Sequence, residues 1–157
     1  MSVLIVIPAR YASTRYPGKP LAELKGATGQ ARSLIERSWQ AACKVGGVDR
    51  VVVATDDERI EDAARPFGAH VVMTSENCAN GTERCAEAHA ALGGDYDIVV
   101  NLQGDAPLTP HWFVESLVQG LKNAPEAEIA TPVLRCDGST LNALLNDRKA
   151  GRVGGTT

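Results

Sequence analysis

The sequence has no glycine-rich phosphate fingerprint: neither the spacing of a Walker A loop nor that of a dinucleotide-binding turn occurs in its 157 residues. It has no Cys-x-x-Cys pair either. Cys43, Cys78, Cys85 and Cys136 are scattered, which makes neither a zinc site nor a disulfide framework and leaves reduced thiols as the expectation. His70, His89 and His111 stand at no ligand spacing, so none is assigned a metal. No apolar run reaches membrane-spanning length, and no basic leader with a cleavage site precedes the first apolar run. A cytoplasmic protein with no membrane partner is therefore expected. Excess positive charge is also lacking: 16 Lys and Arg stand against 19 Asp and Glu, a net charge of -3. That balance argues against a nucleic-acid partner while leaving room for a local basic site facing a small anion. Repeats, low-complexity tracts and interdomain linkers are absent too, so residues 1–157 are read as one domain, with 44% hydrophobic and 22% charged residues typical of a globular chain.

What is present is concentrated first in the stretch from Val3 to Lys19. Five apolar residues, Val3 to Ile7, read as a strand buried on both faces, and they run into a loop holding Arg10, Arg15 and Lys19 with no acid before Glu23. In open α/β folds ligands bind outside the carboxyl ends of such strands. Ser13, Thr14 and Gly18 add hydroxyl donors and a place for close backbone approach, which gives the loop the makings of an anion cradle. A solvated basic turn is the competing reading.

Further apolar runs at Val51 to Ala54, His70 to Met73, Ile98 to Leu102 and Ile129 to Val133 are separated by turn signals or helical periodicity. This alternation implies an α/β fold with a mainly parallel sheet and helices on both faces. Leu34, Ile35, Trp39, Ala42 and Val45 make a helix stopped by Gly46-Gly47, and Asp56 or Asp57 caps a short helix ending before Gly68. Thr82 is the expected cap of a third, Thr109-Pro110 opens a fourth with Pro110 in its first turn, and Leu141, Leu144 and Leu145 mark a last short helix. Trp39 and Trp112 fall within these helical patterns and are expected to pack at the core or its flank. The glycine-rich end from Gly151 to Thr157 reads as a loop leading to a further strand, so the chain is expected to be truncated at its carboxyl end.

Gln103-Gly104-Asp105 follows the run Ile98 to Leu102 and places a carboxylate at a strand end on the side of the basic loop. A lone carboxylate there suits Mg2+, a hard cation that bridges carboxylate to phosphate; a turn or cap role is the alternative.

These residues resemble a family. Ile7-Pro-Ala-Arg-Tyr-Ala-Ser-Thr-Arg-Tyr-Pro-Gly-Lys-Pro-Leu21, with Val53-Ala-Thr-Asp-Asp57, Gly81-Thr-Glu-Arg84 and Asn101-Leu-Gln-Gly-Asp105, is similar to the 3-deoxy-manno-octulosonate cytidylyltransferases, or CMP-Kdo synthetases. The first motif is long and specific, and the order and spacing of the others support it. The resemblance implies a Rossmann-like, three-layer nucleotidyltransferase fold of glycosyltransferase-A type. It further implies transfer of CMP from CTP to the anomeric hydroxyl of the acidic sugar Kdo, with pyrophosphate released, for lipopolysaccharide synthesis in a cytoplasmic homodimer. On this reading Arg10, Ser13, Arg15 and Lys19 hold the triphosphate, with Arg10 and Lys19 acting on the leaving charge. Ala9 and Arg10 offer backbone groups to the cytosine, Asp105 carries Mg2+, and Gln103 faces nucleotide or sugar. Asn80, Gly81 and Arg84 border the base.

The sequence departs from the family at Glu83 and Ala106, where aspartate and glutamate are familiar, and at Cys78 and Asn80, in place of histidine and serine. A second acidic metal ligand and most of the sugar pocket are expected beyond Thr157. The alternatives are a cytidylyltransferase acting on sialic acid, and a non-catalytic nucleotide-binding module. Arg148, Lys149 and Arg152 are left as a solvated tail rather than a carboxylate site.

Overall fold

A computed structural model describes residues 1–12, 16–133 and 135–149. Ser13, Thr14, Arg15 and Arg152 therefore lie outside the described residues, as do the side chains of Arg148 and Lys149.

The fold grows from β1 (Val3–Ala9), every residue of which is buried. Its register is parallel to β4 (Arg50–Thr55) on one side, from Leu4 opposite Arg50 to Ala9 opposite Thr55. On the other side it is parallel to β6 (Ile98–Asn101), from Val3 opposite Ile98 to Val6 opposite Asn101. With β5 (His70–Met73) beside β4, the four strands stand in the order β5-β4-β1-β6. Alternate side chains of β1 feed two cores because successive residues of a strand point to opposite faces. Val3, Ile5, Ile7 and Ala9 join Ile35 and Ala42 of α1 (Leu34–Ala42), Ile60 of α2 (Glu58–Ala64) and Val114 and Val118 of α4 (His111–Asn123). Leu4 and Val6 join Val52, Ala54, Val72 and, on α3 (Gly81–Ala91), Cys85 and Ala88. Helices thus cover both faces, as the alternation of elements implies. Complete burial of Ile5 and Ile7 contributes roughly 1.5–3 kcal/mol each.

Local chemistry sets the helix starts. Ser33 accepts the Glu36 amide at 3.3 Å to cap α1, and Asp57 accepts the Arg59 amide at 3.0 Å to cap α2. Three expected boundaries move. The cap of α3 is Asn80, not Thr82, because Asn80 has extended backbone and its side chain accepts the Glu83 amide at 3.0 Å. Pro110 sits at the N-cap of α4, one position before the first turn, again with extended backbone. Helix α1 ends at Ala42, before Gly46-Gly47, and Val45 is buried by the turn that follows.

The expectation of a strand over Ile129 to Val133 is overturned. That segment is irregular, with Ile129 83% and Val133 84% exposed, and it pairs with no strand among the described residues, so its backbone gains no ladder hydrogen bonds. In the other direction, β2 (Glu23–Lys25) and β3 (Ala31–Ser33) form an unanticipated antiparallel ribbon, buttressed where Arg37 donates to the Leu24 and Gln30 carbonyls. The last helix, α5 (Gly138–Lys149), forms where Leu141, Leu144 and Leu145 mark it, yet those three are 44–47% exposed. Trp39 packs at the core margin with its ring 5.4 Å from Phe67, whereas Trp112 is mostly exposed, edge-on to Phe113. Among the described residues no helix is long and apolar enough to cross a membrane.

Candidate functional site

The strand order reverses direction at β1: the chain steps from β1 to β4 to β5, then returns to place β6 on the opposite side. At such a switch point the loops leaving adjacent strands diverge and open a crevice at their carboxyl ends. The two loops here are those that leave Ala9 and Asn101.

The β6 loop is drawn tightly onto β1. Leu102 donates its amide to the Val6 carbonyl at 3.0 Å, and the position of a Cβ on Gly104 lies only 2.8 Å from the Pro8 carbonyl oxygen. Only glycine permits that approach. The fully buried Ser38 hydroxyl of α1 donates to the Gly104 carbonyl at 2.8 Å and fixes the same peptide from the other side. Gly104 thus holds Asp105 at the mouth of the crevice. Lys19 approaches from the β1 loop, whose base is closed by the Gly18 amide donating to the Tyr11 carbonyl at 2.9 Å, with Gly18 at φ 69°. The result is a hydrogen-bonded ion pair, Lys19 Nζ to Asp105 Oδ2 at 2.5 Å, between residues 86 apart in the chain. Both side chains remain about half exposed, so the pair is open to exchange with a ligand.

The opposite wall is the start of α3. Asn80 caps the helix by accepting the Glu83 amide at 3.0 Å, and Glu83 in turn accepts from the Ala79 amide at 2.8 Å and from the Asn80 side-chain amide at 3.1 Å. Gly81 lies against Pro8 and the Gln103 amide, where a Cβ would meet Pro8 at 3.3 Å. Cys78 donates its thiol to Glu87 at 3.0 Å, and that carboxylate raises the thiol's pKa while its own is lowered, chiefly by the same hydrogen bond. Cys78 is thereby held as a thiol, not as a nucleophile. Arg84 is only 3% exposed; it donates to Thr74 Oγ1 at 2.5 Å and to Asp56 Oδ2 at 2.9 Å.

Between these walls lies a cavity of about 370 Å³, lined by Pro8, Ala9, Arg10, Lys19, Asn80, Gly81, Arg84, Gln103 and Asp105, among others. Every described candidate from the sequence faces one space; Ser13 and Arg15 are the two candidates outside the described residues. Sequence reasoning gave no role to Pro8, Ser38, Cys78 or Gly104. Ser38 carried no signal, since a serine among apolar helical neighbours reads as surface. Gln103 donates to Asn101 at 2.9 Å, which leaves its carbonyl oxygen for a ligand. With Arg84 paired to Asp56 and Lys19 paired to Asp105, the charged side chains that line the cavity among the described residues leave an excess positive charge at Arg10. That balance suits an anion. A second, more open depression continues past Lys19 and Asp105 and is lined by Tyr16, Leu24 and residues Ala106 to Thr109.

No cluster of three metal-ligating side chains occurs among the described residues. One carboxylate at an anion site is nevertheless a donor set that fits Mg2+, which is commonly held by one or two carboxylates plus substrate phosphates. His70 starts β5, His89 accepts the Tyr96 amide at 3.3 Å and His111 starts α4, so none enters the cavity.

A family model described as Cytidylyltransferase matches residues 4–149. The chain belongs to the cytidylyltransferase family. Within it, the likeness to 3-deoxy-manno-octulosonate cytidylyltransferases expected from the Ile7 to Leu21 motif is borne out. The chain is 49% identical over 157 residues to the enzyme of that name from Maricaulis maris, and 48% identical over 128 residues to that of Zea mays. It spans 59% and 41% of their lengths, covering all and 82% of itself respectively. Among solved structures, CMP:2-keto-3-deoxy-manno-octonic acid synthetase complexed with CTP superposes with a TM-score of 0.73 at 41% identity, covering 80% of this chain and 49% of that one. A cytidylyltransferase from Leptospira borgpetersenii superposes with a TM-score of 0.64 at 27% identity, over 79% of this chain and 50% of the other. The expected nucleotidyltransferase fold, with its parallel sheet between helices, stands.

Proposed function

We propose that this chain carries the nucleotide site of an enzyme that transfers CMP from CTP to the anomeric hydroxyl of Kdo, releasing pyrophosphate, for lipopolysaccharide synthesis. The observation that carries the reading is the meeting of Lys19 with Asp105 at the cavity bordered by Arg10, Asn80, Gly81 and Gln103. Relatives named for this reaction support it. In the proposed complex Arg10 and Lys19, joined by Ser13 and Arg15 of the same loop, bind the triphosphate and offset the charge that grows on the departing pyrophosphate. A phosphate oxygen replaces Asp105 as the partner of Lys19 and leaves the carboxylate facing the α-phosphate. Asp105 would hold Mg2+ there, and the ion would supply Lewis-acid polarisation of the phosphoryl group. The backbone at Ala9 and Arg10, together with Asn80, Gly81 and Arg84, borders the cytosine, and Gln103 stands between nucleotide and acceptor.

The proposal extends to a cytoplasmic homodimer without a nucleic-acid or membrane partner. The net charge of -3, the free state of all four cysteines and the exposed apolar side chains of Leu108, Trp112, Ile129 and Val133 support it. Nucleotide binding without turnover is the second reading, favoured by Ala106, which leaves Asp105 without an adjoining acid.

Pyrophosphate release from CTP, Mg2+ and Kdo tests the reaction. Turnover is expected, and Asp105→Asn is expected to abolish it while the thermal midpoint stays within a few degrees. An undiminished rate would remove Asp105 from the mechanism, no turnover by the intact protein would favour the binding module, and turnover with sialic acid alone would replace the acceptor.

A further inference from the structure

The adjacent carboxylates Asp56 and Asp57 close β4, at the same end of the sheet as the cavity, yet neither is among the residues that line it. Each is largely buried, at 16% and 17% side-chain exposure, and each holds a different arginine. Asp57 accepts Arg59 through both oxygens, at 2.9 Å to Nε and 2.6 Å to Nη2. This fork lays the Arg59 guanidinium 3.3 Å from the centroid of the Tyr11 ring. A Cβ on Gly18 would lie 3.1 Å from the same ring. Tyr11 and Gly18 are the two residues whose backbone bond closes the cationic loop at its base. Asp56 acts in the other direction. It receives Arg84, which also holds Thr74, so the first turn of α3 is tied to the ends of both β4 and β5. Glu87, one turn further along α3, binds the Ser75 amide at 2.6 Å and Cys78, so the loop between β5 and α3 is secured to the same helix.

We propose that the Asp56-Asp57 pair is the positioning element of the site: Asp57, through Arg59 and Tyr11, sets the cationic wall, and Asp56, through Arg84, sets the polar wall. Strand β4 is hydrogen-bonded to β1 along its length, so the two walls are held at a fixed separation by consecutive residues of one rigid strand. The walls differ in chemistry. Arg10 and Lys19 carry the charge that suits phosphates, whereas the wall at Asn80 and Gly81 offers amide groups to the uncharged end of a nucleotide. The ligand assignment rests on the proposed nucleotide function; the anchoring itself does not.

The test compares CTP and CMP binding to the full chain by calorimetry. In Arg59→Gln and Asp57→Asn the cationic wall loses its anchor, so CTP binding weakens at least about fivefold while CMP binding changes less than about twofold. In Arg84→Lys, which keeps the charge but loses the fork between Asp56 and Thr74, CTP and CMP weaken together by a similar factor. Asp56→Asn leaves a buried guanidinium short of its partner and is destabilising, which is why Arg84→Lys carries this arm. Hydrogen exchange on the free protein reads the anchors without any nucleotide. The Gly18 amide in Arg59→Gln and the Glu83 amide in Arg84→Lys exchange at least about tenfold faster than in the parent, with the β1 and β4 amides unchanged. Unchanged exchange at Gly18 and Glu83 overturns the proposal, as does equal loss of CTP and CMP in Arg59→Gln. Parent protein that binds no CTP while both amides respond as stated overturns the nucleotide reading and leaves the anchors standing.

Discussion

Replacing Gly104 by alanine tests how the strand ends build the site. The new methyl would sit 2.8 Å from the Pro8 carbonyl oxygen, a backbone atom that cannot swing away. Ordinary contact begins at 3.4 Å, so the β6 loop and β1 must part by 0.6 Å, the difference between those distances. Such overpacking costs about 1–3 kcal/mol. At about 2–4 °C per kcal/mol for a chain of this size, the thermal midpoint falls by about 2–12 °C. The same movement loosens the Ser38 bond to the Gly104 carbonyl and carries Asp105 away from Lys19. A misplacement of about 1 Å at a reacting centre costs on the order of a hundredfold in rate, so a displacement near half that predicts about a tenfold loss of kcat/KM for CTP. Gly120→Ala is the matched control: nothing lies within 4 Å of its Cβ position and it is inside α4, so it is expected to be neutral or to stabilise by about 0.5–1 kcal/mol. Differential scanning fluorimetry and steady-state pyrophosphate release read both variants. A Gly104→Ala protein with the parent's midpoint and kcat/KM would refute the claim that close approach at this glycine places Asp105.

Lys19→Met separates binding from stability: its ion pair is half exposed, so the midpoint moves by the equivalent of at most about 1 kcal/mol. Loss of a charged hydrogen bond to phosphate, worth about 1.5–3 kcal/mol, weakens CTP binding by about 10–150-fold, measured by calorimetry. Acid sensitivity has a stated sign. The Asp97 carboxyl is held below its usual range chiefly by the Ser2 amide at 2.6 Å, Asp57 by Arg59, and Glu87 by Cys78. Each therefore contributes stability that is fully present above the unfolded carboxylate pKa, about 4, and is lost as pH falls through its lower folded value. Urea midpoints should fall steadily below about pH 4 in the parent and less steeply in Asp97→Asn; equal slopes would contradict the assignment.

The parallel sheet was legible because its strands are short apolar runs, and β1 most of all because burial on both faces leaves no polar position from Val3 to Ile7. The run Ile129 to Val133 has the same composition and is no strand, since a ladder depends on a partner that composition does not report. The ribbon of β2 and β3 escaped notice for the opposite reason: exposed three-residue strands show no alternation. At the site, Lys19 and Asp105 were legible as chemistry at strand ends. The Gly104 contact with Pro8, the buried Ser38 hydroxyl and the pairing of Asp56 with Arg84 were not, because each joins residues 28 to 96 positions apart through space and leaves no pattern along the chain.

The most direct test of the central claim is an amide chemical-shift titration of the isotope-labelled protein with CTP and Mg2+. The account predicts saturable shifts at Ala9, Arg10, Lys19, Asn80, Gly81 and residues 103–105, the backbone that surrounds the cavity between β1, β6 and α3. Shifts confined to other surfaces, or none at millimolar CTP, would contradict it.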